Sequence, residues 1–310
     1  MLNIRPVLAF LKDAAHRGQR TVLVSIIAVT GASTRNPGAL MGVADDGRWI
    51  GSFSGGCIEA AVVSEALAAL EDGRARTVRY GAGSPYIDIR LPCGGGIDLL
   101  FSPLPAGSLA DTALERLDAR LPVAFSLPLA EGAPALADAD GTRSVSANGS
   151  HVIINHLPPL RILVTGQGAA VEAMVRQASA FGAITEIMTP DQALIDAVSA
   201  VDVPTTLLKS QGSCPAFRAD PWTACVFYFH DHDWEAPLMA QALASPAFYV
   251  GAMGSLKTHQ TRSALLMSLG VDADSIARIA APIGLIPSSR DPEVLALSTL
   301  AQIVDRFERG

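Results

Sequence analysis

Apolar side chains recur at helical spacing over residues 4–17, with Val7, Leu8, Leu11, Ala14 and Ala15 on one stripe and Gly18 standing where such a helix would end. The next run, Thr21 to Val29, is β-branched and almost unbroken, which predicts a buried strand. A turn at Asp45-Asp46-Gly47 predicts a short hairpin leading to Trp49 and Ile50. Helical spacing returns at Ile58, Ala61, Val62, Ala66, Ala69 and Leu70, and Ile97 to Phe101 reads as a further strand. Residues 103–158 carry only short β-like pieces at 123–127, 144–147 and 152–155, separated by Gly- and Pro-containing loops, and predict a strand extension with His151 and His156 in ordinary surface roles.

The pattern changes after Pro158-Pro159, the best linker in the chain. Strand and helix now alternate. Strands are expected at 161–165, 183–188, 224–229 and 247–251. Helices are expected from about 170 to 181, over 233–244 and 257–269, and from about Asp291 to Glu308. The last of these has Val294, Leu297, Ala301, Val304 and Phe307 on one face. The predicted fold class is α/β: a mixed α/β domain over residues 1–158, followed by a Rossmann-like, doubly wound parallel sheet over 159–310.

Composition narrows the function. Of 310 residues, 49% are hydrophobic and 17% charged, enough apolar material for two cores. The net charge of -7, 5% aromatics and the lack of a basic run argue against nucleic acid as a partner. No apolar stretch reaches the roughly 20 residues of a membrane span, and Met1 to Pro6 lacks a signal-peptide layout. Four cysteines in a chain of this length do not make a disulfide framework, and a cytoplasmic location is expected.

The chemistry gathers in glycine-rich turns. Gly51-Ser52-Phe53-Ser54-Gly55-Gly56-Cys57-Ile58-Glu59 leads straight into a helix. First-turn N–H groups there lack intrahelical partners, so an anion such as a phosphate is favoured, and the same field favours a thiolate at Cys57. The blander alternative is a tight turn with a small buried cysteine. Arg35, in the loop Thr30 to Ala39, is either a solvated surface group or an anion clamp. Cys93-Gly94-Gly95 repeats the thiol and glycines in reverse order, and the two thiols could converge on one ligand, although no zinc spacing is present.

In the second half, Gly166-Gln167-Gly168 follows a strand as in a dinucleotide-binding turn. Val171 replaces the third glycine, and Thr189 stands where an acid would hold a ribose, which speaks against NAD(P). His230-Asp231-His232 and Gly254-Ser255 fall just past strand ends, where open α/β sheets bind ligands; His230 and His232 could ligate a metal or move protons, and the competing explanation is that Asp231 and the histidines cap the next helix.

Taken together, Thr30 to Met41, the Ser-Gly-Gly-Cys-Ile-Glu core at 54–59 and Cys93-Gly94-Gly95 resemble the N-terminal domain of the xanthine dehydrogenase accessory factor (XdhC/CoxI) family. Gly166-Gln167-Gly168, His230-Asp231-His232, Tyr249-Val250-Gly251, Gly254-Ser255, Pro282 to Leu285 and Pro292-Glu293 resemble its Rossmann domain. The resemblance implies a chaperone without turnover of its own. It would bind molybdenum cofactor, assist its sulfuration and insert it into a xanthine dehydrogenase-type molybdenum hydroxylase, with a cysteine desulfurase as a further partner and a homodimer as the working state. The implied cofactor site comprises Arg35, Ser54, Gly55, Gly56, Cys57, Glu59, Cys93, Gly94 and Gly95, with Cys57 and Cys93 nearest the metal and Glu59 supporting the loop. In the second domain it comprises Gly166, Gly168, His230, Asp231, His232, Gly254 and Ser255. The chain departs from the family pattern at Ala169, Thr189, Lys257 and Ile286, all in the second domain. The rival readings are an NAD(P)-dependent oxidoreductase acting around His230, Asp231 and His232, and a scaffold that recruits a sulfurtransferase and a target enzyme.

Overall fold

The structure is a computed structural model that describes residues 3–84, 94–105, 107, 109–199, 202–211, 217–229 and 232–309, the side chain of His232 excepted. The chain divides into two compact units, Met1–Pro158 and Pro159–Gly310.

The first unit begins with helix α1 (Arg5–His16), which carries Pro6 in its first turn and closes with Gly18 at positive φ. Strands β1 (Thr21–Thr30), β2 (Leu40–Ala44) and β3 (Trp49–Ile50) precede helix α2 (Glu59–Asp72), and β4 (Arg76–Gly81) and β5 (Gly96–Pro103) follow it. These five strands form one antiparallel sheet in the order β3-β2-β1-β5-β4. Helix α3 (Leu109–Asp118) leads to β6 (Val123–Pro128), β7 (Ala135–Ala137), β8 (Ser144–Asn148) and β9 (His151–His156), a second antiparallel sheet ordered β7-β6-β9-β8.

The unbroken apolar run of β1 is explained by burial on both faces. Val22, Val24 and Ile26 join Val62, Ala66 and Leu70 of α2 in one core. Leu23 faces a second core with Leu8 and Leu11 of α1, Leu117 of α3, Phe125 of β6 and Ile154 of β9. An antiparallel strand usually alternates because one face is wet; this one is covered twice. The register between β1 and β5 slips at Ile26/Ala28, so a bulge redirects the last residues of β1 into the loop that carries Arg35.

Three features differ from the sequence reading. Helix α3 was not expected, although Ala110, Ala113, Leu114 and Leu117 give it a buried stripe. Strand β4 was not expected either, because Arg76 and Arg79 interrupt its pattern; the structure pairs them with Glu65 (2.8 Å) and Asp98 (3.0 Å). His156 is not a surface residue: it is 6% exposed and lies edge-on to Phe125. Its ring follows the inward face of β9, and burial, with Arg143 adding repulsion, lowers its pKa to about 3.

The second unit alternates β10 (Arg161–Gly166), α4 (Ala169–Phe181), β11 (Ile184–Thr189), α5 (Gln192–Val198), β12 (Thr205–Leu207), β13 (Thr223–Tyr228), α6 (His232–Ala244), β14 (Tyr249–Ala252), α7 (Leu256–Ser268), α8 (Ala273–Ala277), β15 (Ile279–Ala280) and α9 (Pro292–Arg309). Its six strands are all parallel in the order β12-β11-β10-β13-β14-β15, the doubly wound arrangement of a Rossmann-like domain. Leu163, Cys225, Phe227 and Val250 pack with Leu238, Met239 and Leu266 of α6 and α7. The hydroxyl of Tyr228 donates to Thr299 of α9 (2.7 Å).

Of the apolar face foreseen for the last helix, only Phe307 is buried. Val294 and Leu297 are exposed, the latter at 57%, whereas Ala296, Thr299, Leu300, Ile303 and Phe307 are buried. Both stripes have helical spacing, and the buried one carries the polar partners that the sheet needs: Thr299 for Tyr228 and Gln302 for the hydroxyl of Tyr249 (2.6 Å).

Candidate functional site

Three loops of the first unit come together. The first, residues 31–39, follows the bulged end of β1; its Thr34 hydroxyl donates to the carbonyl of Phe53 (2.7 Å), and Arg35 Nε donates to the carbonyl of Ser52 (3.2 Å). The second is therefore the 51–58 loop that leads into α2. The third precedes β5: Gly95 lies so close to the first that a Cβ there would stand 1.9 Å from the carbonyl oxygen of Ala32. Only glycine permits that approach. Arg35, Gly55, Gly56, Cys57 and Gly94 are exposed on these loops, and the terminal nitrogens of Arg35 have no partner among the described residues. Cys93 lies outside the described residues.

The anion-binding turn expected at Ser54 to Cys57 exists, and the protein fills it itself. Glu59, the first residue of α2, turns its carboxylate back into the loop and is 6% exposed. Its Oε1 accepts from the Ser52 hydroxyl (2.7 Å) and from the N–H groups of Phe53 and Ser54 (both 2.9 Å). Its Oε2 accepts from the Ser54 hydroxyl (2.8 Å) and from the N–H groups of Gly56 (2.8 Å) and Ile58 (3.2 Å). The N–H groups of Gly55 and Cys57 are satisfied by hydroxyls, Gly55 by Ser52 and Cys57 by Ser54 (both 3.0 Å). Positive φ at Gly55 and Gly56 allows the backbone to wrap around the carboxylate.

Burial by itself pushes the Glu59 carboxyl up, but the donors from Ser54, Ser52 and Phe53 outweigh it and lower its pKa to about 2. The positive end of α2 thus acts on the protein's own carboxylate. The expectation that the Gly56 N–H would hold a ligand phosphate is corrected accordingly, since that donor is engaged. What the turn presents outward is the exposed Cys57, next to the loop whose Arg35 has terminal nitrogens without a partner among the described residues. Ser52 and Thr34, which tie the two loops together, were not singled out from the sequence; the only signal was a second hydroxyl ahead of the Ser-Gly-Gly core.

The residues expected to act in the second unit have different surroundings. Gly166 ends β10, with its α-carbon side against the Tyr228 carbonyl, and exposed Gly168 opens α4. Val171 is fully buried. Thr189 ends β11 with its hydroxyl accepting the N–H of Asp191 (3.0 Å), while the Asp191 carboxylate caps α5 through Leu194 (3.2 Å). Glu186 pairs with Arg161 (3.5 Å). The carboxylates nearest that strand end are therefore committed to structure. Ser255 caps α7 in a reciprocal capping box with Thr258, and Gly254 precedes it at positive φ. His230 and Asp231 lie outside the described residues, and His232 opens α6. No group of three or more His, Cys, Asp or Glu side chains poised for a metal occurs among the described residues. No helix among them is long and apolar enough to cross a membrane.

Comparison with known proteins places these features in context. Residues 14–81 match the model of the XdhC and CoxI family, and residues 162–303 match that of the XdhC Rossmann domain. The chain is 35% identical over 300 residues to the molybdenum cofactor insertion chaperone PaoD of Escherichia coli (strain K12), covering 96% of this chain and 87% of that protein. It also superposes on a crystal structure described as a xanthine dehydrogenase from Bacillus halodurans, with a TM-score of 0.74 and 21% identity over 97% of this chain and 96% of that one. At that identity the likeness is one of fold.

Proposed function

This chain belongs to the XdhC and CoxI family, and from that premise we propose that it binds molybdenum cofactor and delivers it to a molybdoenzyme. The observation that carries the reading is its 35% identity, across nearly the whole chain, to a molybdenum cofactor insertion chaperone. The finer parts of the proposal are that the recipient is a hydroxylase of the xanthine dehydrogenase type, that sulfuration of the cofactor is assisted through a cysteine desulfurase, and that the chaperone works as a cytoplasmic homodimer without turnover of its own.

The donor set of the three-loop cluster fits such a cargo. When bound, the cofactor supplies the molybdenum centre and dithiolene on which the recipient's chemistry depends. An exposed Cys57 thiol is a soft ligand suited to that centre or its sulfurs. The terminal nitrogens of Arg35 suit the phosphate, a role that the N–H groups of the turn cannot take while Glu59 holds them. Glu59 keeps the Cys57 loop in its turned conformation. NAD(P) is not part of this reading, since Val171 and Thr189 break the fingerprint and Asp191 is a helix cap.

The test is native mass spectrometry of the full chain purified from a host that makes molybdenum cofactor. The parent is expected to carry a mass corresponding to the cofactor and to run as a dimer, and Cys57→Ala and Arg35→Ala are each expected to lose most of that load. A parent without cofactor would refute the chaperone reading. Variants loaded like the parent would refute the three-loop site.

A further inference from the structure

The second unit contains a cleft of about 860 Å3 in which Gly254 and Ser255, already named in the implied cofactor site, stand beside residues given no role above. It opens past the C-terminal ends of β13, β14 and β15, beyond the β10/β13 junction that the Gly166–Gly168 turn serves; neither of those glycines lines it. Its apolar lining comes from Phe229, Met253, Pro282, Ile283, Ile286 and Leu295. Among the described residues, the charged ones lining it are Lys257 and Arg290, and no Asp or Glu does so. Neither cation has an ion-pair partner among the described residues. Two cations that border one apolar cleft in a chain of net charge -7 give that cleft a local positive potential.

The cleft is held in shape from behind. Arg262 and Glu235, both 1% exposed, form a bidentate pair at 2.9 and 3.1 Å, and Arg262 also donates to the carbonyl of Met253 (2.7 Å), fixing the backbone at the start of the Gly254-Ser255 turn. On the other wall, the hydroxyl of Ser298 accepts the N–H of Ile286 (2.6 Å), and Gln302 accepts that of Gly284 (2.9 Å). The segment between them and Arg290 includes Ser288 at φ 57°, a left-handed conformation that a non-glycine residue holds only under constraint. Helix α7 starts at the same place, with Leu256 and Lys257 in its first turn.

We propose that this cleft binds a planar heterocycle carrying a phosphate monoester, with the phosphate answered by Lys257 and Arg290 and the ring covered by the apolar lining. Inorganic phosphate or a sugar phosphate would leave that lining wet, and an uncharged ring would leave both cations unanswered. The volume lies within the range of about 300–1,000 Å3 usual for small-ligand sites. This chemistry has two sources, a free nucleotide and the phosphorylated pterin half of a molybdenum cofactor. The proposal does not depend on where the Cys57 loops bind their cargo.

Titration calorimetry on the full chain tests it with AMP, GMP, CMP, UMP and neopterin monophosphate, beside the unphosphorylated parents and inorganic phosphate. At least one phosphorylated heterocycle is expected to saturate below about 1 mM, and about tenfold more tightly than its parent or inorganic phosphate. Saturation by a nucleotide identifies a free nucleotide as the source, and saturation by the pterin phosphate alone identifies the pterin. Lys257→Ala and Arg290→Ala are each expected to weaken binding about tenfold with the thermal midpoint unchanged, and Cys57→Ala to leave binding intact. Three results would overturn the proposal: no saturation by any phosphorylated ligand, equal binding of phosphorylated and parent compounds, or indifference to both cation variants. Loss of binding in Cys57→Ala would do the same, by moving the site to the N-terminal loops.

Discussion

Glu59→Gln is ordinarily a near-neutral substitution, and here it is expected to destabilise the protein measurably. Each carboxylate oxygen faces three donors: the Ser52 hydroxyl with the Phe53 and Ser54 N–H groups at one, the Ser54 hydroxyl with the Gly56 and Ile58 N–H groups at the other. A glutamine amide can offer an acceptor to only one set and must point its NH2 at the other, donor against donor. With the NH2 toward Phe53 a buried N–H is stranded; with it toward Gly56, Ile58 keeps the Ser54 hydroxyl (3.1 Å) and the exposed Gly56 N–H loses its acceptor. A buried donor without a partner costs about 1–3 kcal/mol, whereas water reaches Gly56, so the second orientation prevails and Glu59→Gln should lose about 1–2 kcal/mol and Glu59→Ala about 3–5. Urea unfolding measures the loss, and peptide-resolved hydrogen exchange should show protection falling across residues 51–60. The sign with pH follows from the lowered pKa. The carboxylate's contribution is complete above the unfolded value of 4.5 and is lost as pH falls toward about 2, so the gap between parent and Glu59→Gln should close over that window. A glutamine variant as stable as the parent at pH 7, or a gap that does not close in acid, would refute the picture of a carboxylate-filled turn.

Two further outcomes are expected. His156 is buried neutral with its pKa lowered from 6.5 to about 3, so its contribution is complete above pH 6.5 and declines by up to about 1.4 kcal/mol per pH unit as pH falls toward 3; His156→Phe should flatten the pH dependence of the urea midpoint between 6.5 and 4.5. Removing either member of the Arg262–Glu235 pair, by Arg262→Met or Glu235→Leu, should cost about 3–5 kcal/mol, whereas the double variant should cost clearly less than the sum, as a double-mutant cycle of urea midpoints would show.

Much of the architecture could be read from local pattern. The stripe Val7, Leu8, Leu11 and Ala14 of α1, the run of β1 and the stripe Val62, Ala66, Ala69 and Leu70 of α2 lie within a few residues of their expected bounds, because each is a repeat of 3.6 or 2 written over one short segment. The strand-helix alternation after Leu160 likewise announced the parallel sheet of the second unit. Pattern failed where two answers fitted it equally. The stripes of α9 have the same period, and the choice between them rests on Tyr228 and Tyr249, more than fifty residues away, which need Thr299 and Gln302 as partners. Strand β4 was hidden because its arginines are neutralised by Glu65 and Asp98 only once the sheet has formed.

The candidate site divides along the same line. All six bonds to Glu59 come from residues 52–58, so the chemistry of that turn was contained in eight consecutive residues, and its supporting role was legible there. Which anion occupies the turn was not legible, since spacing alone does not say whether a carboxylate one turn away folds back or leaves the donors to a ligand. The meeting of the Arg35 loop with Ser52 and with Gly95 joins segments 17 and more than sixty residues apart. Sequence by itself determined which groups could serve a soft, anionic cargo. The tertiary structure alone decided which of them are already spent, because a hydrogen-bond donor satisfied within the protein is no longer available to anything else.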